Sequence, residues 1–322
     1  MVTKSAKNIR IVYMGTPDFA VAPLKILVES GYNVVAIVTV PDKPAGRGQK
    51  LQQSAVKIYA QKANLPVLQP QKLKDEKFLN ALTSYDAELF IVVAFRMLPE
   101  IVWQIPSLGT FNLHASLLPQ YRGAAPVNWA IINGEKTTGV TTFFINNEID
   151  KGNIIFSEKV EIKHNDNAGI LHDKLMETGA ALVLKTVDAI ACKNINLQHQ
   201  HESEYLKQAP KIFKETCKIN WMQKPEEIYN FIRGLSPYPA AWCEFTNTDK
   251  QNITAKIYSA DYENIEHDLP LGTIKSDGKM VLKVACNRGF INIMDIHAAG
   301  KKRMNVREFL AGFRDIENYL IK

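Results

Sequence analysis

Residues 9–30 read IRIVYMGTPDFAVAPLKILVES, and their texture decides the fold class. IRIVYM is a short, nearly continuous apolar run. Thr16 is placed to cap a helix, with Pro17 at the first helical position, and FAVAPLKILVES then carries helical spacing. A strand buried on both faces that feeds directly into a helix is the opening unit of a parallel sheet. Working outward, NVVAIVT (33–39) and ELFIVVA (88–94) repeat the apolar run. Ser54 is a cap for a helix expected through Lys62, GTFNLH and TGVTTFFI continue the strands, and a helix is expected from about Ala168 to Ala191. Strand and helix alternate, so a doubly wound, mostly parallel α/β sheet is expected.

Beyond Ala191 the pattern changes. KNINLQHQHESEYLKQAP (193–210) is polar, lacks periodicity and ends in Pro, which reads as a linker. One helix signal, PEEIYNFIRG, precedes five short strand signals: AWCEFT, NITAKIYS, LGTIKS, KMVLKVA and GFINIMDIH. Short strands at regular spacing point to a small barrel. The expected architecture is a Rossmann-like catalytic domain over 1–191, a linker over 192–210, and an OB-like β-barrel over 211–322. GTPDFA after the first strand has one glycine and lacks G-x-G-x-x-G, so a nicotinamide cofactor is not expected.

The chain has 322 residues, 46% hydrophobic and 22% charged, enough for about two domains with their own cores. No stretch approaches about 18 uninterrupted apolar residues and the N-terminus has no signal-peptide core, so a cytoplasmic protein is expected. Cys192, Cys217, Cys243 and Cys286 form no C-x-x-C pair and have no histidine at metal spacing. Reduced, structural thiols and no metal are expected. The net charge is +6. Residues 205–322 hold 18 Lys and Arg against 14 Asp and Glu, an excess that favours a polyanionic partner.

Within FNLHASLLPQYRG (111–123), Asn112 and His114 alternate with Phe111 and Leu113, so the two polar side chains share one face of a strand. Open parallel sheets bind ligands at the carboxyl ends of their strands. A carboxamide and an imidazole there suit the stabilisation of an oxygen that becomes negative as a carbonyl is attacked. No Ser or Cys lies in a nucleophile motif, which favours direct transfer to an incoming amine or hydroxyl. Ordinary hydrogen bonding inside the sheet is the alternative, and the spacing alone leaves both open.

FNLHASLLPQYRGAAPVNWAIINGEKTTGVTTFFINNEIDKGNII (111–155) resembles the folate-dependent formyltransferases, which share an N-x-H-x-S-L-L-P-x-[YW]-R-G run and a later Asp in a D-x-G context. The resemblance implies that Asn112, His114 and Asp150 act together, moving a formyl group from 10-formyltetrahydrofolate to an amine. Asn112 and His114 would donate to the oxyanion, with His114 also the general acid, and Asp150 would orient His114 and assist proton transfer from the amine. It also implies folate contacts at Ser116, Leu117, Leu118 and Pro119, and along Ala94-Phe95-Arg96-Met97-Leu98-Pro99. Phe95-Arg96 stands where a Tyr-Gly pair is common in the family, and Glu148 replaces a frequent glycine.

TVPDKPAGRGQKLQQS (39–54) carries Lys43, Arg47 and Lys50, with Lys57 just beyond. By composition it is an exposed, solvated loop. PDKPAGRG resembles the loop of those family members that formylate initiator methionyl-tRNA, where it enters the acceptor end, and Arg47 matches its central arginine. AGKKRM, with Lys301, Lys302 and Arg303, and LSPYPAAW (235–242) resemble the C-terminal domain of the same members. The resemblance implies initiator methionyl-tRNA and a folate co-substrate as partners; a monomer with no membrane partner is expected. The competing readings are a formyltransferase for a nucleotide amino sugar, a non-catalytic RNA-binding protein on the same scaffold, and a nucleotide-dependent oxidoreductase.

Overall fold

A computed structural model of the chain describes residues 5–45, 50–247, 252–313 and 316–321. It divides into two compact units. The first comprises Met1–Gly123, Thr137–Glu161 and His172–Gln208, and the second Ala124–Lys136, Ile162–Leu171 and Ala209–Lys322.

The first unit begins with β1 (Ile11–Gly15), α1 (Val21–Glu29), β2 (Val34–Val38), α2 (Ala55–Lys62), β3 (Val67–Leu68), α3 (Glu76–Thr83) and β4 (Leu89–Val93). After these come β5 (Thr110–His114), β6 (Thr137–Phe144), β7 (Ile154–Glu161) and the long α4 (Ala168–Ala191). The seven strands lie in the order β7-β6-β5-β4-β1-β2-β3. Pairings from β3 through β5 are parallel; β5 with β6 and β6 with β7 are antiparallel. Every residue of β1 and β4 is buried, which is why these strands are apolar without alternation. The strand order reverses between β1 and β4, placing a ligand crevice at the carboxyl edge nearby.

Local signals are met in part. The Ser54 hydroxyl accepts the Lys57 N–H at 3.1 Å and caps α2. Thr16 does not cap α1: a 3₁₀ turn at Asp18–Ala20 intervenes, so the helix proper starts at Val21, beyond reach of a side chain at position 16. The buried Thr16 hydroxyl has no partner among the described residues. The long α4 approaches the sheet so closely that a Cβ on Gly179 would meet Leu113 Cδ2 at 2.8 Å. Leu113 thus packs under the helix while its neighbours in sequence face the opposite way.

The second unit contains α5 (Pro225–Leu235), β8 (Ala241–Thr246), β9 (Asn252–Glu263), β10 (Ile274–Ser276), β11 (Leu282–Cys286), β12 (Gly289–Ala298), α6 (Val306–Ala311) and β13 (Leu320–Ile321). Its strands run β10-β11-β12-β9-β8-β13, and a bridge from Leu320 back to Thr273 makes a nearly closed antiparallel barrel. Closure depends on Gly272: its φ is +83°, and a Cβ there would run into the Ile321 carbonyl. Phe245, Ile257, Val284, Ile291 and Ile296 fill the barrel, with Ile228 and Ile232 of α5 and Phe309 of α6 packed on the same core.

Candidate active site

Register places the polar pair. Val92 is paired with Asn112 and Val93 with Leu113, so β5 ends beside the end of β4 and His114 stands at the carboxyl edge of the sheet. Thr110, Phe111 and Leu113 are buried, whereas Asn112 is half-buried and its carboxamide has no hydrogen-bonding partner among the described residues. An unpartnered carboxamide at a strand end is available to a ligand.

His114 is 7% exposed, and its two ring nitrogens have different surroundings. Nε2 lies 2.9 Å from the Tyr121 carbonyl oxygen. A carbonyl only accepts, so Nε2 carries the proton of that bond. Nδ1 faces Asp150, whose Oδ2 is 3.9 Å away, longer than a hydrogen bond. The same Oδ2 accepts the Gly123 N–H at 3.0 Å. Three side chains predicted from sequence to work together therefore belong to one unit, with His114 and Asp150 directly facing.

Strained backbone surrounds them. Ala94, Tyr121 and Asp150 have φ of 46°, 59° and 55°, a left-handed region that non-glycine residues seldom adopt, and such residues concentrate at functional sites. Tyr121 is fixed by its N–H donating to the Lys207 carbonyl at 2.7 Å. Gly152, the glycine of the D-x-G pattern, is required because a Cβ there would run into the Phe144 carbonyl. Glu148 pairs with Lys151 at 2.8 Å within the same turn.

The residues expected to meet folate divide into two groups. Met97 is 76% exposed, and Leu117 and Pro119 are half-buried. Ser116 is fully buried, its hydroxyl donating to the Gln120 carbonyl at 2.6 Å, and Leu118 packs in a buried cluster with Phe143 and Ile154. Phe95 and Leu98 pack on the core beside β4. Arg96 lies over the Phe95 ring at 5.3 Å and donates to the Pro70 and Gln71 carbonyls at 2.8 and 3.1 Å. Its burial holds the guanidinium below its ordinary pKa.

Of the expected tRNA residues, Lys43 is exposed, Arg47 lies outside the described residues, and so does the Lys50 side chain. Lys57 donates to Asp42 at 2.5 Å, and Gln69 donates to the other Asp42 oxygen at 2.7 Å, fastening the start of the loop. These bonds, the one from Lys57 first, keep the Asp42 carboxyl below its usual range. In the second unit Arg303 clamps Asp295 and covers the Tyr258 ring at 4.0 Å, and Lys301 reaches the Gly312 carbonyl at 3.2 Å. Lys302 is exposed without a partner among the described residues. No group of three His, Cys, Asp or Glu side chains is arranged to hold a metal among the described residues.

Sequence reasoning missed Gln200, a buried side chain in the stretch read as a linker, which bonds the main chain at Asp150 and Gly152. Nothing in a lone glutamine amid polar residues signals such a role.

Two family models match the chain, formyl transferase over residues 7–187 and formyl transferase, C-terminal domain, over residues 211–314. The chain is 56% identical over 317 residues to the methionyl-tRNA formyltransferase of Phocaeicola vulgatus, covering 97% of this chain and 98% of that one. It is 54% identical over 316 residues to the enzyme of the same name from Bacteroides thetaiotaomicron, covering 97% and 98%. The fold is also that of an N-formyltransferase from Helicobacter canadensis solved with folinic acid and dTDP-3-aminofucose, with TM-score 0.62 and 21% identity over 88% of this chain and 98% of that one.

Proposed function

The chain belongs to the formyl transferase family, and we infer that it transfers the formyl group of 10-formyltetrahydrofolate to the amino group of initiator methionyl-tRNA for translation initiation. The observation that carries this acceptor is identity above one half, across both family segments, to relatives named methionyl-tRNA formyltransferase. With translation as its setting, the enzyme works in the cytoplasm. One chain supplies the whole trio, so no second copy is needed to complete it, and a monomer is the proposed working unit.

In the proposed reaction the neutral amine attacks the formyl carbon. A C–N bond forms and the carbonyl electron pair moves onto oxygen. Asn112, through its free carboxamide, and His114, entering the reaction protonated on both ring nitrogens, through its Nδ1–H, donate to that oxyanion. Collapse breaks the bond from the formyl carbon to the folate nitrogen, which leaves with a proton from His114. Asp150 orients His114 and takes up the proton lost by the amine. Met97, Leu117 and Pro119 form the exposed wall against folate, with Phe95, Leu98, Leu118 and Ser116 supporting it. Lys43, Arg47 and Lys50 meet the acceptor end of the tRNA, and Lys301, Lys302 and Arg303 its backbone.

The test is single-turnover transfer from 10-formyltetrahydrofolate to charged methionyl-tRNA, with wild type and Asn112→Ala compared and uncharged tRNA as control. Formylated product from wild type, slowed by about 10²–10³ in the variant, is expected for loss of one oxyanion donor. Absence of product with folate bound would redirect the search to an amino-sugar acceptor.

A further inference from the structure

We propose that Gln200 is a positioning residue for formyl transfer, holding the main chain that presents Asp150; the inference rests on the role assigned to Asp150 above. Gln200 is 4% exposed. Its Nε2 donates to the Asp150 carbonyl at 2.9 Å and to the Gly152 carbonyl at 2.8 Å. Its Oε1 accepts from Arg122 Nε at 3.1 Å and Nη2 at 2.8 Å. Both N–H groups and both lone-pair positions of the carboxamide are thereby used. The orientation follows from chemistry, since a guanidinium only donates and carbonyls only accept. Turning the amide over would set donor against donor and acceptor against acceptor.

The hold has a purpose at this point of the chain. Asp150 sits at φ 55°, and the backbone there needs an external restraint to stay in that region. Gln200 grips the carbonyls on both sides of Lys151. Its own main chain is anchored nearby: Gln198 and Ile154 exchange backbone hydrogen bonds at 2.8 and 2.9 Å. Arg122 directly follows Tyr121, whose carbonyl accepts from His114. One carboxamide–guanidinium pair therefore secures both the Asp150 turn and the chain next to the His114 acceptor. Glu202 takes Arg122 Nη1 at 2.7 Å and lies 3.4 Å from Lys151, and its carboxyl is held below its usual range by Arg122. Glu202 is largely exposed and Lys151 only half-buried, so these outer ion pairs contribute little and the buried carboxamide carries the restraint.

Gln200→Glu tests this, because it keeps the volume and the acceptors toward Arg122 while replacing the two N–H donors with an oxygen. Single-turnover transfer should fall about 10²-fold through misplacement of Asp150. The KM values for folate and methionyl-tRNA should stay within about twofold of wild type. In an Asp150→Asn background the same change should cost less than about threefold, because both substitutions act through one group. Equal losses in the two backgrounds, or a folded Gln200→Glu enzyme with wild-type rate, would overturn the proposal. Asp150→Asn transferring at the wild-type rate would instead overturn the role given to Asp150 itself. If circular dichroism shows Gln200→Glu unfolded, Gln200→Met, which brings no carboxylate against the carbonyls, goes through the same cycle with the same criteria.

Discussion

His114 Nδ1 faces Asp150 Oδ2 at 3.9 Å, and the other ring nitrogen is committed to the Tyr121 carbonyl at 2.9 Å. Only Nδ1 is therefore free for chemistry. In the neutral ring the proton should reside on Nε2, and ¹⁵N spectra of the histidine side chain should give His114 a pyrrole-type Nε2 and a pyridine-type Nδ1 at alkaline pH. The reverse assignment would mean that the Tyr121 contact does not persist in solution.

The turn that carries Asp150 tolerates no side chain at Gly152, where a Cβ would collide with the Phe144 carbonyl. Gly152→Ala should lower stability by about 1–3 kcal/mol through forced displacement of that turn. Urea denaturation measures the loss, and formyl transfer should fall with it because Asp150 moves. Unchanged stability together with unchanged transfer would show that the strand end yields freely.

Lys302 is exposed and unpartnered among the described residues, while Arg303 is engaged with Asp295 and Tyr258. Lys302→Ala should weaken tRNA binding with no effect on unfolding, and reduce the slope of log K against log salt by about 1. Arg303→Ala should additionally lower thermal stability, because it leaves Asp295 without its partner. Filter binding across a salt series reads the slope, and thermal unfolding separates the two variants.

Cys192 is exposed, whereas Cys217, Cys243 and Cys286 are buried, and burial pushes the Cys243 and Cys286 thiols up to about 12. A disulfide reagent should titrate one thiol rapidly in the native enzyme and all four after denaturation. Rapid reaction of several native thiols would show that the barrel opens readily.

Asp277 accepts backbone N–H bonds from Val281, Met280 and Lys279, which lower its carboxyl to about 2. A depressed folded value means that the stabilisation is present above the unfolded value of 3.8 and is lost as the pH falls through about 2. The stability gap between wild type and Asp277→Asn should therefore be full near neutral pH and narrow on acidification, as read by denaturant titration at successive pH values. A constant gap would show that the charge of Asp277 contributes nothing.

The sequence by itself determined the architecture, because burial on two faces and burial on one leave different marks. The unbroken apolar runs of Ile11–Gly15 and Leu89–Val93 are the buried centre of a sheet, and the alternation along Ala241–Thr246 marks a barrel strand with one face inward. The shared strand face of Asn112 and His114 was legible in their spacing, whereas Asp150, 36 residues beyond His114, joined them only through the family resemblance. What only the tertiary structure decided are relationships between residues distant along the chain. The commitment of His114 Nε2 to a loop carbonyl, the burial of Ser116 and Leu118, and the hold of Gln200 on a turn 50 residues earlier have no periodicity to betray them. Hydrogen bonds depend on where backbone carbonyls arrive after folding, and a side chain's type does not encode that position.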